Sequence, residues 1–195
     1  MIWKKSALAM GLALAACGSD PAPAPTATEE ATPTAEAAEA NPTQANAPGL
    51  AIESEGLRLF DQVTGSARPI PFGTAWDDVR AMLAFRGNPR AGVMEECGAG
   101  RLDYVKWDDS LTLYGQGGKF TGWFADTGAQ GTISTASGVG PGSTRKELED
   151  AYSAEVSETS LGTEFSAGDL FGLFASDRPD AIITAMWAGT SCNFT

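Results

Sequence analysis

The stretch Pro71-Phe-Gly-Thr-Ala-Trp-Asp-Asp-Val-Arg-Ala-Met-Leu83 aligns without gaps on Gly140-Pro-Gly-Ser-Thr-Arg-Lys-Glu-Leu-Glu-Asp-Ala-Tyr152, which lies 69 positions later. Each copy has a glycine, a hydroxyl residue, acidic residues and then two apolar residues four positions apart. Hydroxyl residues cap helices, acids favour the first turns, and an apolar pair at i and i+4 forms one buried face. The repeat therefore predicts two short helices that each pack on a core.

The hydroxyl residues of this repeat are the predicted helix caps. Thr74 occupies the cap position in the first copy and Ser143 in the second. In the second copy Thr144 with Glu147 offers an alternative cap one residue later, because a threonine followed three residues on by glutamate forms a capping box.

Strand-like runs separated by glycine and turn residues accompany both predicted helices. Together they predict an α+β fold of two tandem repeats, residues 57–130 and 131–195, each a helix packed on a small antiparallel sheet. The two repeats are expected to fuse into one compact domain that follows a disordered linker. The predicted strands are residues 57–63, 102–107, 110–114 and 119–125 in the first repeat, and 131–138, 156–161, 169–175 and 181–188 in the second.

The two helix openings share a pattern of glycine, hydroxyl and two apolar residues with a known group of proteins. The matching residues are Gly73, Thr74, Val79 and Leu83 in the first copy, and Gly142, Ser143, Leu148 and Tyr152 in the second. The pattern resembles that of SmpA/OmlA-type outer-membrane lipoproteins and of the tandem-repeat β-lactamase inhibitors. The resemblance implies a small antiparallel sheet after each helix, and either a role in outer-membrane protein assembly or inhibition of a secreted enzyme.

The N-terminus has the pattern of an export signal. Lys4 and Lys5 precede an apolar run over residues 7–16, which is typical of a secretory signal peptide and is too short to cross a bilayer. The end of this run, Leu14-Ala-Ala-Cys17, resembles the lipobox of bacterial lipoproteins. The resemblance implies that residues 1–16 are removed and that Cys17 is acylated. Because residues 18 and 19 are Gly and Ser rather than Asp, it further implies an outer-membrane protein that faces the periplasm.

The segment from Cys17 to residue 56 is predicted to be a disordered linker. It consists mainly of Pro, Ala, Thr and Glu, and from residue 18 onwards it carries seven acidic residues and no basic residue. Such a composition cannot bury enough apolar surface to fold. We therefore expect this segment to act as an extended spacer between the membrane and the folded region.

The lipobox resemblance accounts for the odd number of cysteines, which is three. If Cys17 carries lipid, Cys97 and Cys192 are the only pair left, and an oxidising compartment favours a disulfide between them. A bridge over that separation would stabilise the fold by roughly 4–5 kcal/mol through loop-closure entropy. The alternative is a free nucleophilic thiol, for which the sequence offers no activating histidine.

Composition excludes several chemistries. The chain contains no histidine, so Ser-His-Asp catalysis, Cys-His catalysis and His-ligated metal sites are absent. After loss of Lys4 and Lys5 the mature chain has 11 basic and 25 acidic residues, a net charge of −14, which disfavours nucleic-acid binding. We expect no catalytic residues, no cofactor and no metal.

Two further features suggest chemistry but have simpler interpretations. Residues 138–144 form a glycine-rich loop between a predicted strand and a helix, as in phosphate-binding loops, yet they lack the Gly-Lys-Ser/Thr ending; a turn and cap are the simpler interpretation. The acidic pairs Glu95–Glu96 and Asp108–Asp109 are candidates for acid–base hydrolysis. Adjacent strand residues point to opposite faces, so neither pair forms a site by itself.

Large aromatic residues form the candidate interaction surface. Trp107, Trp123 and Trp187 lie in or beside predicted strands, and alternation places Phe120 and Phe124 on one face of their strand and Trp123 on the other. If one sheet face lacks a covering helix, the tryptophans would form a binding surface; otherwise they fill the core.

These observations predict a membrane-anchored, periplasm-facing lipoprotein that acts as a non-enzymatic binding module for an envelope component. The partner is expected to be an envelope protein or a cell-wall polymer. One alternative is an inhibitor of a secreted enzyme, prompted by the resemblance, and a more remote one is a carboxylate-dependent hydrolase. The sequence does not define the oligomeric state.

The lipobox makes the first testable prediction. The mature protein should begin at Cys17 and carry a mass increment equal to its acyl groups, and Cys17→Ser should remove that increment and release the chain from membranes. Intact-mass measurement together with membrane fractionation tests this. A mature wild-type chain that carries no lipid would rule out the proposed anchor.

Overall fold

The computed structural model describes residues 47–192. The predicted signal peptide, the lipidation site Cys17 and most of the predicted linker lie outside the described residues. Among the residues that are described, no helix has the length and apolar character needed to span a bilayer.

The described chain begins with a three-stranded antiparallel sheet in the order β1-β2-β3. Its inner side chains, Ile52, Leu57 and Ile70, are at most 2% exposed and belong to the main core. The linker was expected to extend to residue 56, but β1 begins at Gly49, and its residues Ala51 and Ile52 are buried. The folded region therefore begins before the expected boundary. The strands are β1 Gly49–Glu53, β2 Gly56–Phe60 and β3 Ala67–Pro71.

The second sheet has eight strands, all antiparallel, in the order β4-β5-β6-β7-β11-β10-β9-β8. Its centre is the pairing of β7 with β11, in which Phe124 lies opposite Trp187. The strands are β4 Arg90–Met94, β5 Leu102–Lys106, β6 Leu111–Gln116, β7 Lys119–Asp126, β8 Glu155–Thr159, β9 Gly162–Ala167, β10 Leu170–Phe174 and β11 Ile183–Gly189.

Two α-helices of seven residues each, α1 Trp76–Met82 and α2 Arg145–Ala151, follow the two glycine-hydroxyl openings. The caps differ from those expected. Thr74 donates its hydroxyl to the carbonyl of Pro71, and no side chain caps α1. Thr144 rather than Ser143 caps α2, through the capping box with Glu147 that the sequence offered as the alternative.

The two openings dock on the large sheet in the same way. The Gly73 amide donates to the carbonyl of Phe120 at the start of β7, and the Gly142 amide donates to the carbonyl of Ile183 at the start of β11, both at 2.8 Å. Both glycines have φ near +90°, a conformation that residues with a Cβ rarely adopt. The repeat in the sequence thus specifies a local docking geometry.

The expected fold class is wrong. Strands take up 45% of the described residues and helices only 14%, including two three-residue 3-10 helices at Ala84–Arg86 and Thr127–Ala129, so the fold is mostly antiparallel sheet and does not consist of two helix-on-sheet repeats. The physical reason is that two-turn helices cannot cover a sheet, so the separate sheet β1–β3 provides much of the cover. In addition, the predicted strand at 131–138 is a series of turns with one isolated bridge, at Ser134.

Trp123 lies at the centre of the core. Its side chain is fully buried, and its indole Nε1 donates to the carbonyl of Glu53 in β1 at 2.8 Å. This contact joins the middle of the large sheet to the small sheet. A second bond, from the Ile52 amide to the carbonyl of Ser134, joins the small sheet to the turns that precede α2. The small sheet and the helices therefore lie on the face of the large sheet that carries Trp123.

Trp123→Ala should destabilise the protein by about 3–5 kcal/mol, because it leaves a large cavity and an unpaired carbonyl at Glu53. Phe85, which is 38% exposed, provides the control, and Phe85→Ala should change the free energy of unfolding by less than about 0.5 kcal/mol. Urea unfolding followed by circular dichroism measures both. Equal, small losses in the two variants would contradict the central role of Trp123.

Candidate functional site

The structure separates the three tryptophans of the expected interaction surface. Trp123 is fully buried and Trp107 is 6% exposed, so both belong to the core rather than to a surface. Only Trp187 is partly exposed. The expectation is thus corrected for Trp107 and Trp123, because the face that carries them is covered by the helices and the small sheet.

A β-bulge changes the expected faces of β7. Its register with β6 shifts between Tyr114 and Gly115, so that Tyr114 lies opposite Gly122 and Gly115 opposite Phe120. The extra residue, Thr121, breaks the strict alternation. Phe120 is therefore buried in the same core as Trp123. Of the two phenylalanines that were expected to share a face, only Phe124 points to the opposite face.

That opposite face carries a row of aromatic side chains across three neighbouring strands. Phe124 of β7 lies opposite Trp187 of β11, and Trp187 lies opposite Phe171 of β10. The Phe171 and Trp187 rings stack, with centroids 6.4 Å apart and planes 19° apart. Phe171 is 38% exposed. We call the sheet surface around Phe124, Trp187 and Phe171 the open face.

Sequence reasoning missed Phe124 and Phe171 as members of this surface. Both lie in strands that the sequence predicted, but their common face depends on which strands are neighbours. β10 and β11 are close in the sequence, whereas β7 and β11 are far apart. Only the pairing of β7 with β11 brings Phe124 beside Trp187, and no local pattern specifies that pairing.

One end of the open face is closed by the disulfide. Cys97 and Cys192 are bonded, with Cα atoms 5.8 Å apart, which confirms the expected pairing. The Tyr114 hydroxyl donates to the carbonyl of Cys192 at 3.5 Å. Burial raises the pKa of Tyr114 to about 12, so this phenol stays protonated over the physiological range. The bridge fixes the end of β11 to the turn after β4.

The acidic pairs do not converge on a common site. Glu95 forms an ion pair with Arg101 at 3.3 Å, and Asp108 forms one with Arg90 at 3.6 Å. Both pairs are well exposed. They occupy separate turns, each carboxylate having its own arginine.

Asp109 belongs to a more buried cluster around Trp107. Its carboxylate forms a close ion pair with Arg86, and the Arg86 guanidinium lies 5.3 Å from the centroid of the Trp107 ring. Arg86 is 13% exposed and Asp109 is 26% exposed. This stacking holds Trp107 in place and favours a structural role for the Asp109 carboxylate.

The glycine-rich loop 138–144 borders a depression of about 420 Å³, yet its backbone donors are already used. Every amide from Gly138 to Thr144 donates to a protein acceptor, apart from Pro141, which has none. A phosphate-binding loop needs free amides that point at the anion. The geometry therefore favours the turn-and-cap interpretation.

Within residues 47–192, no group of three or more acidic or cysteine side chains is arranged to hold a metal ion. No protein-family model, no curated protein and no solved structure matches the chain. The candidate site therefore rests on the geometry of the open face alone.

The capping box of α2 predicts a measurable titration. Hydrogen bonds from the Thr144 amide and hydroxyl hold the pKa of Glu147 below its ordinary value of 4.5. A lowered pKa means that the ionised carboxylate stabilises the fold above that ordinary value, and that this contribution is lost as the pH falls through the folded-state pKa. Thr144→Ala should raise the pKa part of the way back, since the amide remains.

Ser143→Ala is the matched control, because the Ser143 hydroxyl accepts from Gly140 and does not bond Glu147. It should leave the Glu147 pKa lowered. NMR titration of the Glu147 side-chain carboxyl carbon between pH 2 and 7 gives this pKa in the wild type and in both variants. An ordinary Glu147 pKa in the wild type would contradict the capping box.

Proposed function

We propose that the chain is a lipid-anchored, non-enzymatic binding module of the bacterial envelope. It faces the periplasm, lies at the end of an acidic spacer, and binds an envelope protein through the open face. The aromatic row formed by Phe124, Trp187 and Phe171 is the observation that carries this proposal.

The anchor follows from the lipobox at residues 14–17. Two or more acyl chains on one cysteine hold a protein stably at a membrane, whereas one chain gives only marginal binding. The disulfide between Cys97 and Cys192 is in keeping with an exported protein, because disulfides persist in oxidising compartments. Both features support an envelope location.

Binding through the open face follows from its composition and position. Trp123 on the opposite face is fully buried, whereas Phe171 on the open face is 38% exposed and Phe124 and Trp187 are partly exposed. Aromatic side chains are enriched at the centres of protein interfaces, where they supply large contact areas at low entropic cost. The three rings lie in register on neighbouring strands, so they present one continuous surface.

The acidic side chains favour binding over hydrolysis. Glycosidase-type catalysis needs two carboxylates that face each other across a cleft, about 5–10 Å apart. Glu95, Asp108 and Asp109 instead bond to three different arginines, Arg101, Arg90 and Arg86. Three of the four carboxylates considered for acid–base chemistry are therefore held in separate ion pairs.

Site-directed photo-crosslinking in the native membrane tests the proposal. A benzoylphenylalanine replaces Phe171 in the full lipidated chain, and the same residue replaces Phe85 as the control, since both phenylalanines are 38% exposed. We expect a discrete crosslinked protein at position 171 and none at position 85. Mass spectrometry of the product identifies the partner.

Two results would overturn the proposal. One is the absence of any product at position 171 in a chain that is folded and lipidated. The other is the same set of products at both positions, which would indicate random encounters. A purified wild-type chain that cleaves a glycan or a peptide would replace the binding function by a hydrolytic one.

A further inference from the structure

A depression of about 440 Å³ lies at the rim of the open face. We call it the rim pocket. Its walls come from parts of the chain that are distant in sequence: the turn between β1 and β2, the end of β3, the turn between β9 and β10, and β10 itself. The lining residues that matter for the argument are Glu55, Pro71, Phe72, Asp169 and Phe171.

Two carboxylates of the rim pocket have no cationic partner. Glu55 and Asp169 are exposed, and within residues 47–192 neither forms an ion pair. The nearby guanidinium of Arg58 is already paired with Glu53 at 3.1 Å. These two carboxylates therefore carry negative charge that no arginine or lysine of the described residues neutralises.

Each aromatic wall of the rim pocket packs against a neighbouring ring. Phe72 packs edge-to-face on the buried ring of Phe120, with centroids 5.1 Å apart. Phe171 stacks on Trp187, as described above. Each ring is thus supported from one side by a neighbour. Aromatic rings beside carboxylates are a favourable environment for a cation, which gains from both the ring quadrupole and the opposite charge.

We propose that the rim pocket binds a cationic side chain, arginine or lysine, of the protein that docks on the open face. The inference rests on the proposed function and specifies the chemistry of the partner. Glu55 and Asp169 supply the charge, and Phe72 and Phe171 supply the ring faces. An anionic group would be repelled there, and a purely apolar group would leave both carboxylates unpaired.

The geometry also connects the rim pocket to the open face. Phe171 belongs to both, because one side of its ring stacks on Trp187 while the residue lines the pocket. A partner that covers the aromatic row therefore reaches the pocket without a gap. Charge complementarity in such a position fixes the register of a complex more than it adds to affinity.

The test uses the complete mature chain from residue 17. The substitution Cys17→Ser prevents acylation, so that the protein stays in solution, and NMR follows its backbone amide signals. The probes are N-acetyl-argininamide and the neutral isostere N-acetyl-citrullinamide. The arginine probe should shift the amides around Glu55, Phe72 and Asp169. The citrulline probe should bind at least tenfold more weakly.

Charge variants provide the matched controls. Glu55→Gln combined with Asp169→Asn should weaken binding of the arginine probe at least fivefold. Glu158→Gln combined with Asp177→Asn removes the same charge from exposed residues elsewhere, and should leave the affinity within twofold. Comparing the two double variants separates a defined pocket from general attraction to an acidic protein.

Three results would overturn the inference: equal binding of the two probes, equal weakening by the two double variants, or shifts spread over the whole acidic surface. None of them bears on the crosslinking experiment. A protein captured at position 171 together with a negative arginine titration would refute the rim pocket and leave the binding function intact. Failure of the crosslinking alone would refute the binding function.

Discussion

The pairing of β7 with β11 forms the centre of the large sheet. It joins strands β4–β7 to strands β8–β11 in a single sheet, and its register places Phe124 opposite Trp187. A shift by one residue would move every side chain of one strand to the other face. The buried side chains of Trp123 and Met186 oppose such a shift, because both would move out of the core.

The two faces of this sheet carry different features. One packs on the helices and the three-stranded sheet, and the indole of Trp123 bonds to that sheet. The other has an aromatic row at its centre and a disulfide at one end. The helices and the three-stranded sheet lie on the face that carries Trp123, so the buried aromatic and aliphatic core lies on that side.

Some carboxylates of the described chain form ion pairs with arginines, and others do not. Arg86 and Asp109 form a partly buried pair that supports Trp107, and the exposed pairs of Glu95 and Asp108 neutralise separate turns. Exposed pairs contribute little to stability. Glu55 and Asp169 remain unpaired at the rim of the open face. Their charge lies beside the rings that a cation would contact.

Local sequence patterns predicted the two helices, most of the strands and, through the lipobox resemblance, the pairing of Cys97 with Cys192. The lipidation of Cys17, which lies outside the described residues, stays a prediction. These predictions depend on short-range chemistry such as capping, alternation and cysteine count. No local pattern predicted the mostly β architecture, the burial of Trp107 and Trp123, or the bulge that turns Phe120 to the core. These depend on contacts between distant strands. The open face and the rim pocket arise in the same way, since strand pairing and the docking of the small sheet bring together residues that no sequence pattern connects.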